Sequence, residues 1–492
     1  MARGLGPSTA NPFIFHPKPI LNLPFDTRKK EPHSLFMSSH PSVLILGAGC
    51  FGLSTAYELL ERGYQNVTII DRAHDLPAPD AASTDLNKIV RSAYRNGAYT
   101  RLAQESIQKW KTGDWDNAYH ESGVIVCGGA DGTAYSKAAH DNDLAAGCRV
   151  ELLPNVSDIK RCFPPAVALG EIAAAKDESG GLARNWAYFN KDGGWVAATV
   201  GMQALLRRTR AYEGRGLTIL TGRRVTGLEL DQEGRAVGVR MDTNDNKEVL
   251  AADVIVLATG AWTSSLFPDE SFGLARLMQA TGHTSLTVQL TPEEYELYKN
   301  VPTLFDKETD LYTMPPTPSG LLKWGIHHKG AVSVHGVSTP RTGLSKDNTS
   351  PLDPTARIGV DGGGAACAVP KRMIKPMRDA MRKLYPDIAD RDFASSRICW
   401  YADTIDEDWI IDYHPAHPRL LLATGGSGHG FKFLPVLGRV IADRLENKLD
   451  GESRELFSFT RPRSGEHVER FGESFQLTED ELATPADLKA PL

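Results

Sequence analysis

The stretch VLILGAGCFGLSTAYELLERGYQNVTIIDR, residues 43–72, decides the fold around which the rest of the chain is arranged. Its apolar start predicts a strand buried on both faces, and an amphipathic helix and a second apolar strand follow. Gly47 predicts a tight turn, Gly49 allows a pyrophosphate to approach the backbone, and Gly52 allows helix and strand to pack closely. Asp71 ends the second strand, where a carboxylate can accept hydrogen bonds from a ribose. The pattern predicts a dinucleotide site, without distinguishing FAD from NAD.

The composition bounds the class of protein. The chain has 492 residues, of which 41% are hydrophobic and 24% are charged, and a formal net charge of −6. This length exceeds what one hydrophobic core supports, so we expect two domains. The charge gives no reason to expect nucleic acid or an anionic membrane as a partner, and no apolar run is long enough to span a bilayer. Scattered cysteines without zinc-type spacing predict no metal site and a reduced, cytoplasmic protein.

The remaining patterns predict an α/β protein. A Rossmann-type dinucleotide domain is joined to an α+β substrate domain, because from Ser285 onwards the chain changes to alternating strands of a mostly antiparallel sheet. Residues from 128 to about 180 show little pattern, and the charged end of the chain is predicted to be peripheral. The predicted boundaries are 1–40 for a disordered lead, 41–125, 180–270 and 405–450 for the dinucleotide domain, 126–179 and 271–404 for the substrate domain, and 451–492 for the C-terminal tail.

Several further segments carry candidate contacts to the dinucleotide. The segment 80–99 is unusually polar, and by itself this composition favours a solvated loop and helix start that carries Arg91 as a surface charge. A buried strand ends on the small residues of segment 258–262, which let the backbone pass close to a ligand or simply form a turn. The candidate cofactor contacts outside the glycine motif are Arg72, Ser83, Thr84, Lys88, Val225 and Gly260.

Four segments together resemble the flavoprotein amine oxidases of the monomeric sarcosine oxidase family, which also contains amadoriases (fructosyl amino acid oxidases), pipecolate oxidases and saccharopine oxidases. They are the glycine motif, DLNKIVR, CWYADT and GGSGHGFKF. The resemblance covers about residues 40–450 and implies a two-domain fold shared with D-amino acid oxidase, with FAD as the dinucleotide. It also implies cofactor contacts from Gly428, His429, Gly430 and Lys432.

The resemblance implies roles for individual side chains around the flavin. Cys399 matches the family cysteine that carries FAD covalently, although by itself it would be interpreted as a small buried hydrophobe. Lys88 matches a lysine that amadoriases have near the flavin. Arg91 and Lys432 match the two basic residues that hold the substrate carboxylate. A planar guanidinium can bind a carboxylate with two charge-assisted hydrogen bonds, and an ammonium adds a second charge.

Three further residues are implied to be catalytic. Lys323 matches the family lysine that activates oxygen beside the flavin, where a fixed cation stabilises the negative charge that develops on O2. His327 matches an active-site histidine, and strand alternation places it on the same face as Lys323. Tyr401, two residues after Cys399, is expected to shape the pocket and orient the amine together with His327.

The implied activity is the oxidation of secondary-amine amino acids of the sarcosine, pipecolate or saccharopine type to imines, with reduction of O2 to H2O2. Amadoriases typically carry DEHPG after the sheet lysine, and its glutamate contacts their substrate. This chain instead has Ile326-His327-His328-Lys329-Gly330, which favours the sarcosine or pipecolate type of pocket.

Other functions stay open at this stage. An amadoriase, a natural-product tailoring oxidase whose imine is captured by cyclisation, and a flavin-binding dehydrogenase or electron-transfer protein are the alternatives. The expected partners are a small amino acid and O2, and the protein is expected to be a monomer, as the family often is. The C-terminus, Ala490-Pro491-Leu492, differs from the SKL-type peroxisomal signal common among relatives, which favours the cytoplasm.

Overall fold

The predicted strand–helix–strand unit is present and lies at the centre of a parallel sheet. The computed structural model describes residues 40–129, 133–171, 186–242, 247–266, 272–333, 369–463, 470 and 473–490. Except for His40, the predicted disordered lead lies outside the described residues. The predicted boundaries between the two domains stay predictions.

The helices and strands have the following bounds. The helices are α1 (Cys50–Glu61), α2 (Gly97–Trp110), α3 (Thr133–Ala145), α4 (Val156–Lys160), α5 (Ala198–Arg210), α6 (Thr263–Leu266), α7 (Leu274–Leu277), α8 (Pro292–Tyr298), α9 (Lys371–Leu384), α10 (Pro386–Ala389), α11 (Leu434–Leu445) and α12 (Gly451–Leu456). The strands are β1 (Val43–Leu46), β2 (Val67–Ile70), β3 (Lys88–Val90), β4 (Tyr119–His120), β5 (Val124–Gly128), β6 (Val150–Leu152), β7 (Trp186–Asn190), β8 (Gly194–Val196), β9 (Leu217–Leu220), β10 (Arg224–Leu230), β11 (Ala236–Asp242), β12 (Lys247–Ala251), β13 (Val254–Leu257), β14 (Met278–Gln289), β15 (Thr303–Asp306), β16 (Leu311–Thr313), β17 (Leu321–Ile326), β18 (Ala331–Ser333), β19 (Ser395–Thr404), β20 (Ile410–Tyr413), β21 (Leu420–Thr424) and β22 (Phe475–Leu477).

The first sheet has six strands in the order β20-β21-β13-β1-β2-β9, and all neighbouring pairs are parallel except β20 with β21. Both of its faces are covered, which explains why β1 is apolar at every position. Val43 and Ile45 pack into the same core as α1, α5 and α11. Leu44 and Leu46 pack on the other face, in a core shared with the small sheet of β10, β11 and β12.

The second sheet is mostly antiparallel, which confirms the predicted fold class. It follows the order β22-β18-β14-β17-β16-β15-β5-β7-β6, and β19 also pairs with β14 along its full length. Leu322 and Trp324 of β17 belong to an apolar core with Met377 of α9. Because side chains alternate along a strand, Lys323 faces the opposite side of the sheet. This alternation directs Lys323 away from the core.

Three sequence interpretations are wrong. The poorly patterned region contains α3 and α4. The segment around DLNKIVR is not a solvated loop, because it forms β3 and its Arg91 is only 6% exposed. The C-terminal tail is not peripheral, because β22 pairs with β18 and Leu477 and Leu488 are buried. In all three cases burial comes from partners far away in the sequence, which local patterns do not report.

The glycine loop has the geometry that the sequence predicts. Gly47 has φ +99°, a conformation that disfavours other residues. A Cβ on Gly52 would lie 1.9 Å from the carbonyl oxygen of Gly47, so the start of α1 approaches the end of β1 more closely than any side chain permits. Among the described residues, no helix has the length and apolar character needed to cross a bilayer.

Candidate active site

The glycine loop forms an open cradle at the start of α1. Gly49 is the N-cap, and no side chain caps the helix, so its first N–H groups face the loop. The Asp71 carboxylate accepts hydrogen bonds from the backbone N–H groups of Ala48 at 2.7 Å and Ala73 at 2.8 Å. Burial raises the pKa of Asp71, while these two N–H groups oppose the shift. Asp71 is therefore fixed at the carboxyl end of β2, beside the cradle.

Buried polar atoms beside this cradle fit a dinucleotide. Ser83 Oγ lies 3.7 Å from the position that a Cβ on Gly49 would take. Among the described atoms, Ser83 Oγ, Thr84 Oγ1 and both amide atoms of Asn87 are buried without a hydrogen-bond partner. Buried polar groups normally have partners, so these atoms indicate a ligand that supplies them. The residues present thus fit FAD.

The other predicted cofactor contacts lie in different places. Arg72 pairs with Asp80 and lies 4.3 Å over the ring of Trp262. Gly260, at the start of the same turn as Trp262, has φ +54° and open space where a Cβ would lie. Arg72 and Gly260 thus follow the carboxyl ends of β2 and β13, the edge at which parallel sheets bind ligands. Val225, by contrast, is buried in the apolar layer beneath the sheet.

Lys88 and Lys323 converge on a carboxylate that no sequence pattern indicated. Oδ2 of Asp85 accepts hydrogen bonds from Nζ of Lys323 at 2.7 Å and from Nζ of Lys88 at 3.0 Å. Burial would raise the pKa of Asp85, but the two ammonium groups outweigh it and hold that pKa well below its usual range. Asp85 stands three residues before Lys88, and nothing in the sequence indicates that it is buried.

The two predicted carboxylate-binding cations meet at Tyr94. The Arg91 guanidinium lies 4.7 Å over the Tyr94 ring and donates to the hydroxyl of Tyr135 at 2.7 Å and to the carbonyl of Ala93. Nζ of Lys432 donates to the Tyr94 hydroxyl at 2.7 Å and to the carbonyl of His429 at 2.8 Å. The structure therefore brings Arg91 and Lys432 together, and Tyr94 and Tyr135 had no signal in the sequence.

A cavity of about 450 Å³ opens beside these cations, and Arg91, Tyr94, His327 and His429 form part of its wall. Burial lowers the pKa values of His327 and His429 well below the usual value, so both imidazoles are neutral near pH 7. This wall does not include Lys323, Lys432 or Tyr401. The cavity thus presents the guanidinium of Arg91 and two neutral imidazoles, and its wall also includes Arg95, Asp406, Glu407 and Asp408.

The CWYADT and GGSGHGFKF segments meet at the edge of the cavity. A Cβ on Gly428 would lie 2.7 Å from Cε2 of Tyr401 and 3.4 Å from Cε1 of His327, so only glycine allows this approach. The Tyr401 ring stacks on His283 with ring centres 4.0 Å apart. Cys399 is buried and shares a face of β19 with Tyr401 by strand alternation. The structure therefore brings together three predicted site residues from separate segments, namely Tyr401, His327 and Gly428.

Arg470 supports this edge from the predicted tail. Its guanidinium donates to Oδ2 of Asp403 at 2.5 Å and to Oε1 of Glu407 at 3.0 Å, and lies 3.3 Å from Nε2 of His283. Burial would raise the pKa of Asp403, but Arg470 outweighs it and keeps that pKa well below the usual range. Glu407 lines the cavity, and His283 stacks on the ring of Tyr401. Arg470 therefore connects the C-terminal tail to the site.

The fold and the glycine cradle agree with a family of known proteins. The model of the family described as "DAO: FAD dependent oxidoreductase" matches residues 42–444. The chain belongs to this family. It is an FAD-dependent oxidoreductase, and FAD is confirmed as the dinucleotide. Within the described ranges, no group of three or more His, Cys, Asp or Glu residues could hold a metal ion.

Individual relatives confirm the resemblance to the sarcosine oxidase and amadoriase group. L-saccharopine oxidase of Schizosaccharomyces pombe is 28% identical over 430 residues, which cover 85% of this chain and 92% of that protein. Monomeric sarcosine oxidase of Bacillus sp. is 24% identical over 458 residues, which cover 88% of this chain and 99% of that protein. Among solved structures, a variant of Amadoriase I from Aspergillus fumigatus has a TM-score of 0.73 and 26% identity, covering 91% of this chain and 98% of that chain.

The buried ion pair of Asp403 and Arg470 yields a stability prediction. We expect Asp403→Asn to lower the free energy of unfolding near neutral pH by about 3 kcal/mol, because it removes one partner of a buried pair. The folded-state pKa of Asp403 lies below its unfolded value of about 3.9. The ionised carboxylate therefore stabilises the folded protein fully above about pH 4. This contribution is lost as the pH falls through the folded pKa.

Urea unfolding of the wild type and the variant, at about pH 7 and about pH 3, measures both effects. Glu452→Gln is the matched control, because Glu452 pairs with Arg101 where both side chains are about 60% exposed. We expect the control to change the free energy of unfolding by less than about 0.5 kcal/mol. A difference between wild type and Asp403→Asn that is equal at both pH values would contradict the prediction.

Proposed function

We propose that the protein oxidises the secondary amine of an N-substituted amino acid and transfers the electrons to O2. The observation that carries the proposal is the meeting of Arg91 and Lys432 at Tyr94, beside a cavity that His327 also lines. Two cations from separate segments suit the two oxygens of a carboxylate. The neutral imidazole of His327 suits an uncharged amine, which can give up a hydride from its neighbouring carbon.

The residues of the site then have distinct roles. Arg91 and Lys432 hold the substrate carboxylate, and His327 and Tyr401 orient the amine. FAD, held by the glycine cradle, would supply the two-electron chemistry that couples oxidation of the amine to reduction of O2 to H2O2. Lys323 supplies a fixed positive charge for the negative charge that develops on oxygen. The C–N single bond becomes the C=N bond of an imine.

The substrate class follows from the pocket and from the relatives. A relative acts as a saccharopine oxidase and another as a sarcosine oxidase, which supports a secondary-amine amino acid. His327 stands where amadoriases have a substrate-binding glutamate, which supports the same choice. An amadoriase activity is the second candidate, favoured by the similarity to Amadoriase I. The monomeric state and the cytoplasmic location stay predictions.

A peroxide assay across a substrate panel tests the proposal. We expect H2O2 release with at least one of sarcosine, N-methyltryptophan, pipecolate and saccharopine, and little with fructosyl-valine. Turnover of fructosyl-valine far above the others would favour the amadoriase instead. If the enzyme oxidises an amine only with an artificial electron acceptor and releases no H2O2 in air, the protein is a dehydrogenase and the proposal fails.

We also propose that FAD is attached covalently through Cys399. The cysteine is buried on β19, and Lys88 and Lys323 are charged neighbours of its thiol. This position, together with the family membership, supports attachment at this residue.

Acid precipitation of the purified protein tests the attachment. The wild-type pellet should stay yellow, because a covalent bond survives denaturation, whereas the Cys399→Ser pellet should be colourless. Cys127→Ser is the matched control, since Cys127 is also buried but lies on β5, and its pellet should stay yellow. A colourless wild-type pellet would refute covalent attachment.

A further inference from the structure

The carboxylate of Asp85 lies between two ammonium groups in a buried site. The exposed fractions of the side chains are 7% for Asp85, 4% for Lys323 and 17% for Lys88. Both lysines donate to the same oxygen, Oδ2. One negative and two positive charges therefore share a site from which water is largely excluded, and the two cations compete for one acceptor.

The backbone holds Asp85 rigidly in this position. Its carbonyl oxygen accepts hydrogen bonds from the backbone N–H of Thr199 at 3.1 Å and from the Thr199 hydroxyl at 2.9 Å. Its second carboxylate oxygen, Oδ1, accepts the backbone N–H of Leu86 at 2.7 Å. Because Thr199 belongs to α5, which packs against the parallel sheet, Asp85 connects that sheet to Lys323 on β17.

We propose that Asp85 is a positioning residue that anchors the Lys323 ammonium and, in competition with Lys88, sets the pH range in which Lys323 is charged. The inference deepens the proposed function, because it rests on Lys323 assisting the reaction with O2. Nζ of Lys323 has a second acceptor in the carbonyl of Asn87 at 3.0 Å, so its direction is fixed by two oxygens. Of these two acceptors, the carboxylate of Asp85 is charged and the carbonyl of Asn87 is neutral.

Asp85 and Lys88 act in opposite directions on the protonation of Lys323. An opposite charge within about 4–6 Å favours the protonated lysine, and a like charge disfavours it. Removing the Asp85 charge leaves two buried ammonium groups that repel each other without compensation. Removing the Lys88 charge leaves Lys323 in a one-to-one pair with Asp85. We expect Lys323 to lose its proton at a lower pH when the Asp85 charge is removed, and at a higher pH when the Lys88 charge is removed.

The pKa values agree with this competition. Burial lowers the pKa of Lys323 to about 8, with Asp85 opposing and Lys88 assisting the shift. Burial also acts against the Lys88 ammonium, but Asp85 outweighs it and raises the pKa of Lys88. Lys323 is therefore the member of the pair that loses its proton first as the pH rises.

Other groups that face the cluster do not titrate in the same range. Arg397 of β19 adds a permanent positive charge that helps to lower the pKa of Asp85. Burial raises the pKa values of Tyr312 and Tyr401 above their usual range, and that of Cys50, beside Lys88, to about 11. Cys399 has no ionisable thiol once it carries FAD as proposed. A transition near pH 8 therefore reports on Lys323.

The test uses the FAD-loaded enzyme and a double-mutant cycle. Wild type, Asp85→Asn, Lys88→Met and the double variant are compared with Lys323→Met from about pH 5 to about pH 10. Two quantities are measured for each: the rate of reaction with O2 after anaerobic reduction, and the absorbance of oxidised bound FAD, which senses nearby charge. The absorbance titration requires neither substrate turnover nor O2.

We expect the wild-type O2 rate to fall as the pH rises through about 8, because Lys323 then loses its charge. Asp85→Asn should move the midpoint of this fall down by about 1–3 pH units, and Lys88→Met should move it up by at least about 1 unit. The double variant should lie between the two, and Lys323→Met should show no such transition. A purely structural role would lower the rate at every pH without moving the midpoint.

The outcomes separate this inference from the proposed function. If Lys323→Met reacts with O2 as fast as wild type, the proposed role of Lys323 fails, whereas the absorbance titration still tests the coupling to Asp85. An unchanged midpoint in Asp85→Asn, or a downward shift in Lys88→Met, would overturn the inference. It would equally be overturned if no transition in either measurement depends on Lys323.

Discussion

The hydrogen bond between Asp85 and Lys323 links the six-stranded parallel sheet, through α5, to the large antiparallel sheet at the site. Asp85 is fixed to α5, which packs on the parallel sheet, and Lys323 projects from β17 of the antiparallel sheet. Arg91 and His327 line the cavity, whereas Asp85 and Lys323 are not part of its wall. A buried ion pair, which is costly to break, therefore links α5 and β17 at the site.

Burial gives the site its chemical character. Desolvation keeps the imidazoles of His327 and His429 neutral, while the guanidinium of Arg91 stays charged at any accessible pH. The charged groups are anchored by neutral acceptors such as the hydroxyls of Tyr94 and Tyr135. The guanidinium of Arg91 suits the carboxylate of an amino acid, and the neutral imidazoles suit its uncharged amine.

The sequence predicted those parts of the structure that depend on local patterns. The strand–glycine–helix–strand unit follows from periodicity and from the packing limit at Gly52, and the antiparallel sheet follows from alternation. Arg91 could not be placed, because its burial depends on Tyr135 of α3, from a region without pattern. Asp85 and Arg470 were missed for the same reason, since the partners that bury them lie more than 60 residues away.

The central claim, that Arg91 and Lys432 bind a carboxylate, is tested most directly by ligand binding without turnover. Methoxyacetate replaces the amine of sarcosine with an ether oxygen, and methoxyacetamide removes the charge. Titration followed by FAD absorbance should give much tighter binding of the acid to wild type. Lys432→Met should weaken binding of the acid by about 10- to 100-fold, as loss of a charged hydrogen bond predicts, and leave the amide nearly unchanged. Equal affinity of wild type for acid and amide would contradict the account.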